Sequence, residues 1–195
     1  MADLVTIEKV KKAMDKSDTM HDSMIQLIVS SYKAVFENFC NRQFDKISRV
    51  KRFNGGRTKY YLNAIPLDPL ISPVVLVAGV LQVKDLDYWV DEQSGLIEFG
   101  TEVSYTEPLE VSITYTGGYD LVTDSDDEDF GTLAVPYSIK MACVLQSVHT
   151  FRRRNDLGLS FSSMPNGQLA VNTALGLLPI VDKALRPYKL TAGQR

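Results

Sequence analysis

The sequence predicts an α+β protein, a small helical bundle with an inserted antiparallel β lobe and a flexible C-terminal segment, and three observations predict it. Helical periodicity fills residues 4–40 and returns after residue 135. Between these stretches, residues 46–116 lose that periodicity, and β-branched and aromatic residues cluster between Gly, Pro and Asn turn signals. Within them Val111, Ile113 and Tyr115 alternate with Ser112, Thr114 and Thr116, the period-two pattern of a strand with one face in a core. At 195 residues and 45% hydrophobic content the chain is long enough for one domain with a substantial core, or for a domain plus a lobe. The expected division is a helical bundle from residues 1–45 and 135–156, a β lobe at 46–119, an acidic loop at 120–134 and a flexible arm with a short helix at 157–195.

Taken in chain order, Leu4, Ile7, Val10 and Met14 recur at three- to four-residue spacing, which predicts a short amphipathic helix that residues 16–19 break. With Asp22 or Ser23 as N-cap, Met24, Leu27, Ile28, Tyr32, Val35, Phe36 and Phe39 form the stripe of a longer helix running to Cys40. Asn54, Gly55 and Gly56 read as a hairpin turn between strands at 48–53 and 58–62. Pro66, Pro69 and Pro73 make the next stretch irregular before a strand at 74–77. Strands at 85–90 and 96–99 flank a second hairpin turn at residues 91–95, and the strand at 111–115 closes one small antiparallel sheet. Pro136 sits where the first turn of a helix tolerates a residue with no backbone N–H and a fixed φ. The helix it opens, residues 136–154, is apolar on nearly every side and is expected to be buried on most faces, by its own subunit or by neighbours. Residues 158–176 are rich in Gly, Ser and Asn, and Pro179 opens a last short helix that Pro187 stops.

Charge and reactive residues narrow the function classes. A formal charge of −3 and a pI near 5.4 argue against coating nucleic acid through the overall field, so any DNA contact is local. No signal-peptide pattern opens the chain and no apolar run approaches the roughly 18 residues of a membrane span, so no membrane is expected as partner. Cys40 and Cys143 lie in apolar helical settings and read as buried, inert thiols suited to a reducing cytoplasm. Asp124, Asp126, Asp127, Glu128 and Asp129 superficially match a calcium loop, but Asp129 stands where the sixth-position Gly is needed and Val135 where the bidentate Glu is needed. A solvated acidic loop is the reading. His21 and His149 have no nucleophile beside them, and the pairs Gly55, Gly56 and Gly117, Gly118 are turns rather than phosphate loops. Arg152, Arg153 and Arg154 place three cations at a helix C-terminus, where the dipole favours them and where they could also meet phosphates or an acidic partner surface. Arg42, Lys46, Arg49, Lys51, Arg52, Arg57 and Lys59 form an extended basic region, and strand alternation is expected to put many of them on one solvent face.

The order of these parts is more specific than any one of them. A strand ending in Gly117 and Gly118, then the helix opened by Val135, Pro136 and Tyr137, combines with a helix pair closing on Asn41, Arg42, Gln43 and Phe44. With Leu185, Arg186, Pro187 and Tyr188 near the end, this order resembles the head-tail connector (adaptor) proteins of tailed bacteriophages, over most of residues 4–190. The resemblance implies a structural virion protein at the head-tail interface, assembled in the bacterial host cytoplasm as a ring of about twelve copies of itself. It implies docking on the portal protein, transient proximity to double-stranded DNA in the channel, a platform for a head-closure or tail protein, no catalysis and no cofactor. By the same resemblance Pro179, Ile180, Val181, Ala184, Leu185, Arg186 and Tyr188 would engage the portal, on an arm loosely held until it docks. Side-to-side ring contacts are expected from the apolar helix at 136–154, with Arg152, Arg153 and Arg154 as a ring-contact or basic cluster. The β lobe is larger than in minimal relatives, which leaves its place in a ring open. The alternative is a calcium- or ligand-binding virion accessory module that uses the β lobe and acidic loop; no constellation of residues supports an enzyme.

Overall fold

The structure is a computed structural model that describes residues 3–104, 108–121, 133–154, 161–163, 169–171 and 176–190. The chain is α+β, with four α-helices and antiparallel sheets among the described residues, and it divides into two compact units. One unit takes Met1–Phe36 and Pro136–Pro187, and the other takes Glu37–Leu121 and the tail from Tyr188. The division falls within a helix because the residues after Phe36 bond forward into the β unit. Phe44 donates its N–H to Glu37 Oε1 at 2.9 Å, and Gln43 donates to the Asn63 carbonyl at 2.9 Å.

The helical unit holds α1 (Ile7–Ala13), the greater part of α2 (Asp22–Cys40), α3 (Tyr137–Arg152) and α4 (Pro179–Leu185). Thr6 caps α1, its hydroxyl accepting the Lys9 N–H at 3.4 Å. Lys11 lies on the inner side of α1 and is paired with Asp22 at 3.0 Å, whose hydrogen bond holds the ammonium above its ordinary pKa. In α2 the buried row is Ile25, Val29 and Phe36, continuing to Cys40, whereas Met24 and Leu27 are exposed. The expected stripe is thus rotated by one residue, about 100° of helix.

α3 buries Ile139, Ala142, Cys143, Gln146, Ser147 and Phe151. Pro136 is its cap rather than its first residue. Tyr137, Met141 and Leu145, one turn apart, stay exposed, so the outward row of this helix is apolar as well. A polar seam crosses the unit at Gln146: its Oε1 accepts the Leu178 N–H at 2.9 Å and its Nε2 donates to the Tyr32 hydroxyl at 3.4 Å, itself 2.6 Å from Thr150 Oγ1. A two-stranded pair, β8 (Phe161–Ser163) and β9 (Leu169–Val171), is also described.

The β unit is built on β1 (Ile47–Phe53), β2 (Arg57–Tyr61), β3 (Val74–Val77), β4 (Val80–Leu81), β5 (Tyr88–Asp91), β6 (Leu96–Val103) and β7 (Val111–Gly117). They form two antiparallel sheets, ordered β1-β7-β3-β4 and β2-β6-β5. Both contribute to one core of Tyr60, Leu62, Val75, Tyr88, Ile97, Phe99, Val111, Ile113 and Tyr115. Tyr60 meets Phe99 edge-on at 5.6 Å and Phe53 at 5.3 Å. The alternation read in β7 is realised, with Val111, Ile113 and Tyr115 buried and Ser112, Thr114 and Thr116 half-buried between flanking strands.

The hairpin expected at Asn54 to Gly56 does not form. β1 pairs with β7 and β2 with β6, so this connection passes between two sheets. Gly55 is pressed there against the Ser104 carbonyl, 2.6 Å from where a Cβ would stand, and Gly56 donates its N–H to the Val103 carbonyl. The turn at residues 91–95 is a hairpin, joining β5 to β6. Gly118, at φ +110°, lets the chain leave β7 directly over the Phe44 and Asp45 carbonyls, which a Cβ would meet at 2.7 and 2.5 Å.

Candidate interaction surfaces

Within the C-terminal segment, residues 176–190 are described and include packed side chains. Val181 and Leu185 are fully buried within the helical unit, and α4 lies along α3. Helix formation follows from Pro179 at the first turn, and a short 3-10 turn, Arg186–Tyr188, extends it. Farther on, in the β unit, Leu190 donates its N–H to the Cys40 carbonyl at 2.9 Å and Lys189 Nζ lies 5.1 Å from the Phe39 ring. Of the seven residues expected to meet a portal, Val181 and Leu185 are therefore core residues. Pro179, Ile180 and Arg186 are exposed, with Ala184 and Tyr188 half-buried. Arg186 is ion-paired with Asp182 at 2.6 Å across one helical turn.

At the far end of α3, Arg152, Arg153 and Arg154 join residues that no local pattern connects to them. Arg154 donates Nη1–H to the Phe151 carbonyl at 2.9 Å and stacks its guanidinium 4.3 Å above the Phe151 ring. Lys16 Nζ stands 5.5 Å from the same ring, and the His21 ring meets it edge-on at 5.4 Å. Among the described residues no carboxylate forms an ion pair with Lys16 or these three arginines. Burial and the Arg153 charge lower the pKa of His149, consistent with a packed imidazole.

Much of the extended basic region is bonded within the β unit while Arg52, Arg57 and Lys59 stay exposed, so the seven cations do not form one solvent-facing row. Arg42 is 5% exposed, donates to the Ile65 carbonyl and, at 3.2 Å, to the Tyr119 hydroxyl, and lies between the Phe44 and Tyr119 rings. Lys46 pairs with Asp68 at 3.1 Å and Asp120 at 3.3 Å; burial disfavours its charge, but these partners outweigh that and raise its pKa. Arg49 pairs with Asp45 at 2.6 Å, and Lys59 with Glu98 at 3.1 Å. Lys51 donates to the Tyr61 carbonyl at 3.0 Å, and burial lowers its pKa. It is Val50, between those two β1 cations, that faces out.

Cys40 and Cys143 are buried thiols outside any disulfide, and burial pushes them up to about 11 and about 12. Among the described residues no group of three His, Cys, Asp or Glu side chains could hold a metal ion. Asp124, Asp126, Asp127, Glu128 and Asp129 lie outside the described residues, as do Arg195 and the chain from 191 onward. The base of the acidic segment is described: Asp120 donates its N–H to the Leu133 carbonyl at 2.8 Å, and Leu133 donates to Asp120 Oδ2 at 3.2 Å.

No protein-family model matches this sequence, and no curated protein matches it. Solved structures do. A chain from the neck of an empty GTA particle, computed with C6 symmetry, superposes with a TM-score of 0.60 at 15% identity, covering 98% of this chain and 94% of that one. A chain from the virion of a native gene transfer agent (GTA) particle gives 0.57 at 13% identity, over 98% and 94%. A chain from the neck of a native GTA particle, computed with C12 symmetry, gives 0.51 at 15% identity over 100% of both chains. At such identities the likeness shows a shared fold, and it extends through the helical and β parts alike.

Proposed function

We propose that this chain is a structural subunit of a phage-type virion neck, a ring component that docks on the portal protein, prolongs the DNA channel and presents a platform to a head-closure or tail protein. The observation that carries this reading is the likeness of nearly the whole chain to chains of GTA necks and virions. The C6 and C12 symmetries of those necks favour a subunit that closes rings, for which about twelve copies is the working number. The outward row of α3 supplies a suitable contact: Tyr137 is 75% exposed, Met141 40% and Leu145 36%. Large apolar side chains in line on a helix gain most when another protein surface covers them.

Portal docking is assigned to the exposed side of the C-terminal segment, Pro179, Ile180 and Arg186 with Ala184 and Tyr188 beside them, while Val181 and Leu185 hold it in shape. No catalytic residue is assigned, and the site of action is the virion after assembly in the host cytoplasm. The test is the mass of the chain, alone and with the portal of the same particle, by mass photometry and negative-stain imaging. A ring of this chain on the portal is the expected result, and paired substitutions Met141→Asp and Leu145→Asp should prevent it while leaving the melting transition in place. Persistent monomer in the presence of portal would overturn the reading.

A further inference from the structure

We infer that the β units of adjoining copies meet edge to edge: the basic edge made by β1 and β2 of one copy docks on the acidic edge made by β4 and β5 of the next, with Arg52 and Arg57 facing Asp85, Asp87 and Asp91. This contact rests on the ring reading above and names a surface through which a ring would close. It starts from the strand order. In the sheet β1-β7-β3-β4 the outermost strands are β1 and β4, and in the sheet β2-β6-β5 they are β2 and β5. Residues 54–56 carry the chain from β1 to β2, where Lys51 donates to the Tyr61 carbonyl at 3.0 Å. Residues 82–87 carry it from β4 to β5, where the Tyr88 hydroxyl donates to the Pro73 carbonyl, just before β3, at 2.7 Å. The two sheets share one core, so β1 and β2 form one open side of the unit and β4 and β5 the other.

The occupant of each edge is identified by charge. Residues 47–61, from the start of β1 to the end of β2, hold five cations and no acid. Residues 80–92, from β4 through β5, hold four acids and one cation, Lys84, which pairs with Glu92 at 3.7 Å. On the basic side Arg49 pairs with Asp45, Lys59 with Glu98, and Lys51 is bonded to Tyr61, so it is the exposed Arg52 and Arg57 that can meet a partner. On the acidic side Asp85 and Asp91 are exposed and Asp87 is half-buried. Apolar side chains stand among these charges: Val50 beside Arg52, and Leu81, Leu86 and Trp89 among the acids, are each about half exposed or more. Their burial supplies attraction, an arginine can lie on the Trp89 ring, and the charges select the pairing. Charge on an edge strand by itself guards against pairing. Here its sign decides which pairing is blocked: basic against basic and acidic against acidic repel, whereas basic against acidic attracts. The favoured contact therefore joins different surfaces of the same chain, the heterologous type that propagates head to tail and closes into rings. Duplex DNA is the competing partner of the basic edge, but two exposed arginines fall short of the roughly six to ten phosphate contacts of a strong electrostatic binder.

Sedimentation velocity of the full chain at low and high ionic strength tests the contact, with the melting transition of each variant measured alongside. The wild-type chain should self-associate at low salt and associate less at high salt. The variant R52E/R57E should weaken association by about tenfold or more. So should D85N/D87N/D91N, in which each Asn keeps an acceptor for the Val83 N–H that Asp87 holds and for the turn that Asp91 caps, and which guards against a folding defect in the first variant. Mixed together, the two variants retain one intact interface, the acidic edge of the first with the basic edge of the second, and should stop at heterodimers. A wild-type chain that stays monomeric at low salt overturns the inference, as does a mixture that associates no better than either variant alone. Duplex DNA binding as the only property lost from R52E/R57E would assign the basic edge to DNA and overturn it too. Assembly unaffected by either variant overturns the edge contact while leaving the ring reading standing. Charge-dependent assembly that grows into open chains supports the contact and overturns the ring, whereas assembly that stops at two wild-type copies is self-complementary pairing and overturns the head-to-tail contact.

Discussion

At the scale of single residues, several buried charges are settled internally. Asp68 is buried and accepts the Leu70 N–H at 3.0 Å, which with Lys46 holds its carboxyl below the ordinary range against the opposing effect of burial. A carboxylate whose pKa is depressed on folding adds stability that is present above its unfolded value, near 4, and that is lost as pH falls through the folded value. Asp68→Asn should therefore cost about 1–3 kcal/mol at neutral pH and flatten the acid limb of the stability profile, as urea melts between pH 7 and pH 3 would register. An unchanged acid limb would mean that the Lys46 cluster does not couple to folding. The thiols give a second check: with Cys40 raised to about 11 and Cys143 to about 12 by burial, the folded chain should resist a thiol-titrating disulfide reagent at pH 8 and react fully once denatured. Burial of both cysteines was legible from their apolar helical neighbours. The pairing of the basic region was not, because apart from Asp45 beside Arg49 its partners are remote in sequence: Arg42 meets Tyr119, 77 residues on, and no local period encodes that.

At the scale of elements, legibility followed how local the determinants are. Pro179 marked the start of α4, the alternation marked β7, and residues 91–95 marked the β5–β6 turn, each decided by the residues themselves. The β1–β2 connection was misread because a Gly pair signals a turn but not which strands flank it as partners; that choice was made by β7 and β6. What holds the C-terminal helix was not legible, for a related reason. A seven-residue helix is unstable alone, and what holds it is burial of Val181 and Leu185 in the helical unit together with the Gln146 bond to Leu178. Leu185→Ala should thus cost roughly 2–5 kcal/mol, and removal of the chain from Pro179 onward should cost more and lower the melting temperature, measurable by calorimetry. Ile180→Ala should barely change stability, since that side chain is 61% exposed, and should weaken portal attachment if the exposed side of the segment is the docking surface. A truncated chain with an unchanged transition would return the segment to the role of a loose arm.

At the scale of the whole molecule, the proposed role in a DNA channel requires that DNA slide, and many fixed phosphate contacts would hold it. The distribution of charge fits passage: the net charge is −3, and Arg42, Lys46, Arg49, Lys51 and Lys59 already have partners within the β unit. Few cations remain for phosphates at any one place: Arg52 and Arg57 on the β unit, and Lys16 with Arg152, Arg153 and Arg154 at the end of α3. Binding of the full chain to linear duplex DNA should consequently be no tighter than the roughly 10⁻⁴–10⁻⁶ M of non-specific association at physiological salt. Its log–log salt slope should stay shallower than about −4, the value four released counterions would approach. Fluorescence anisotropy across a salt series measures both quantities. Tight binding with a steep slope would mean that the internal ion pairs open to grip phosphates, and a nucleic-acid-binding protein would then replace the conduit.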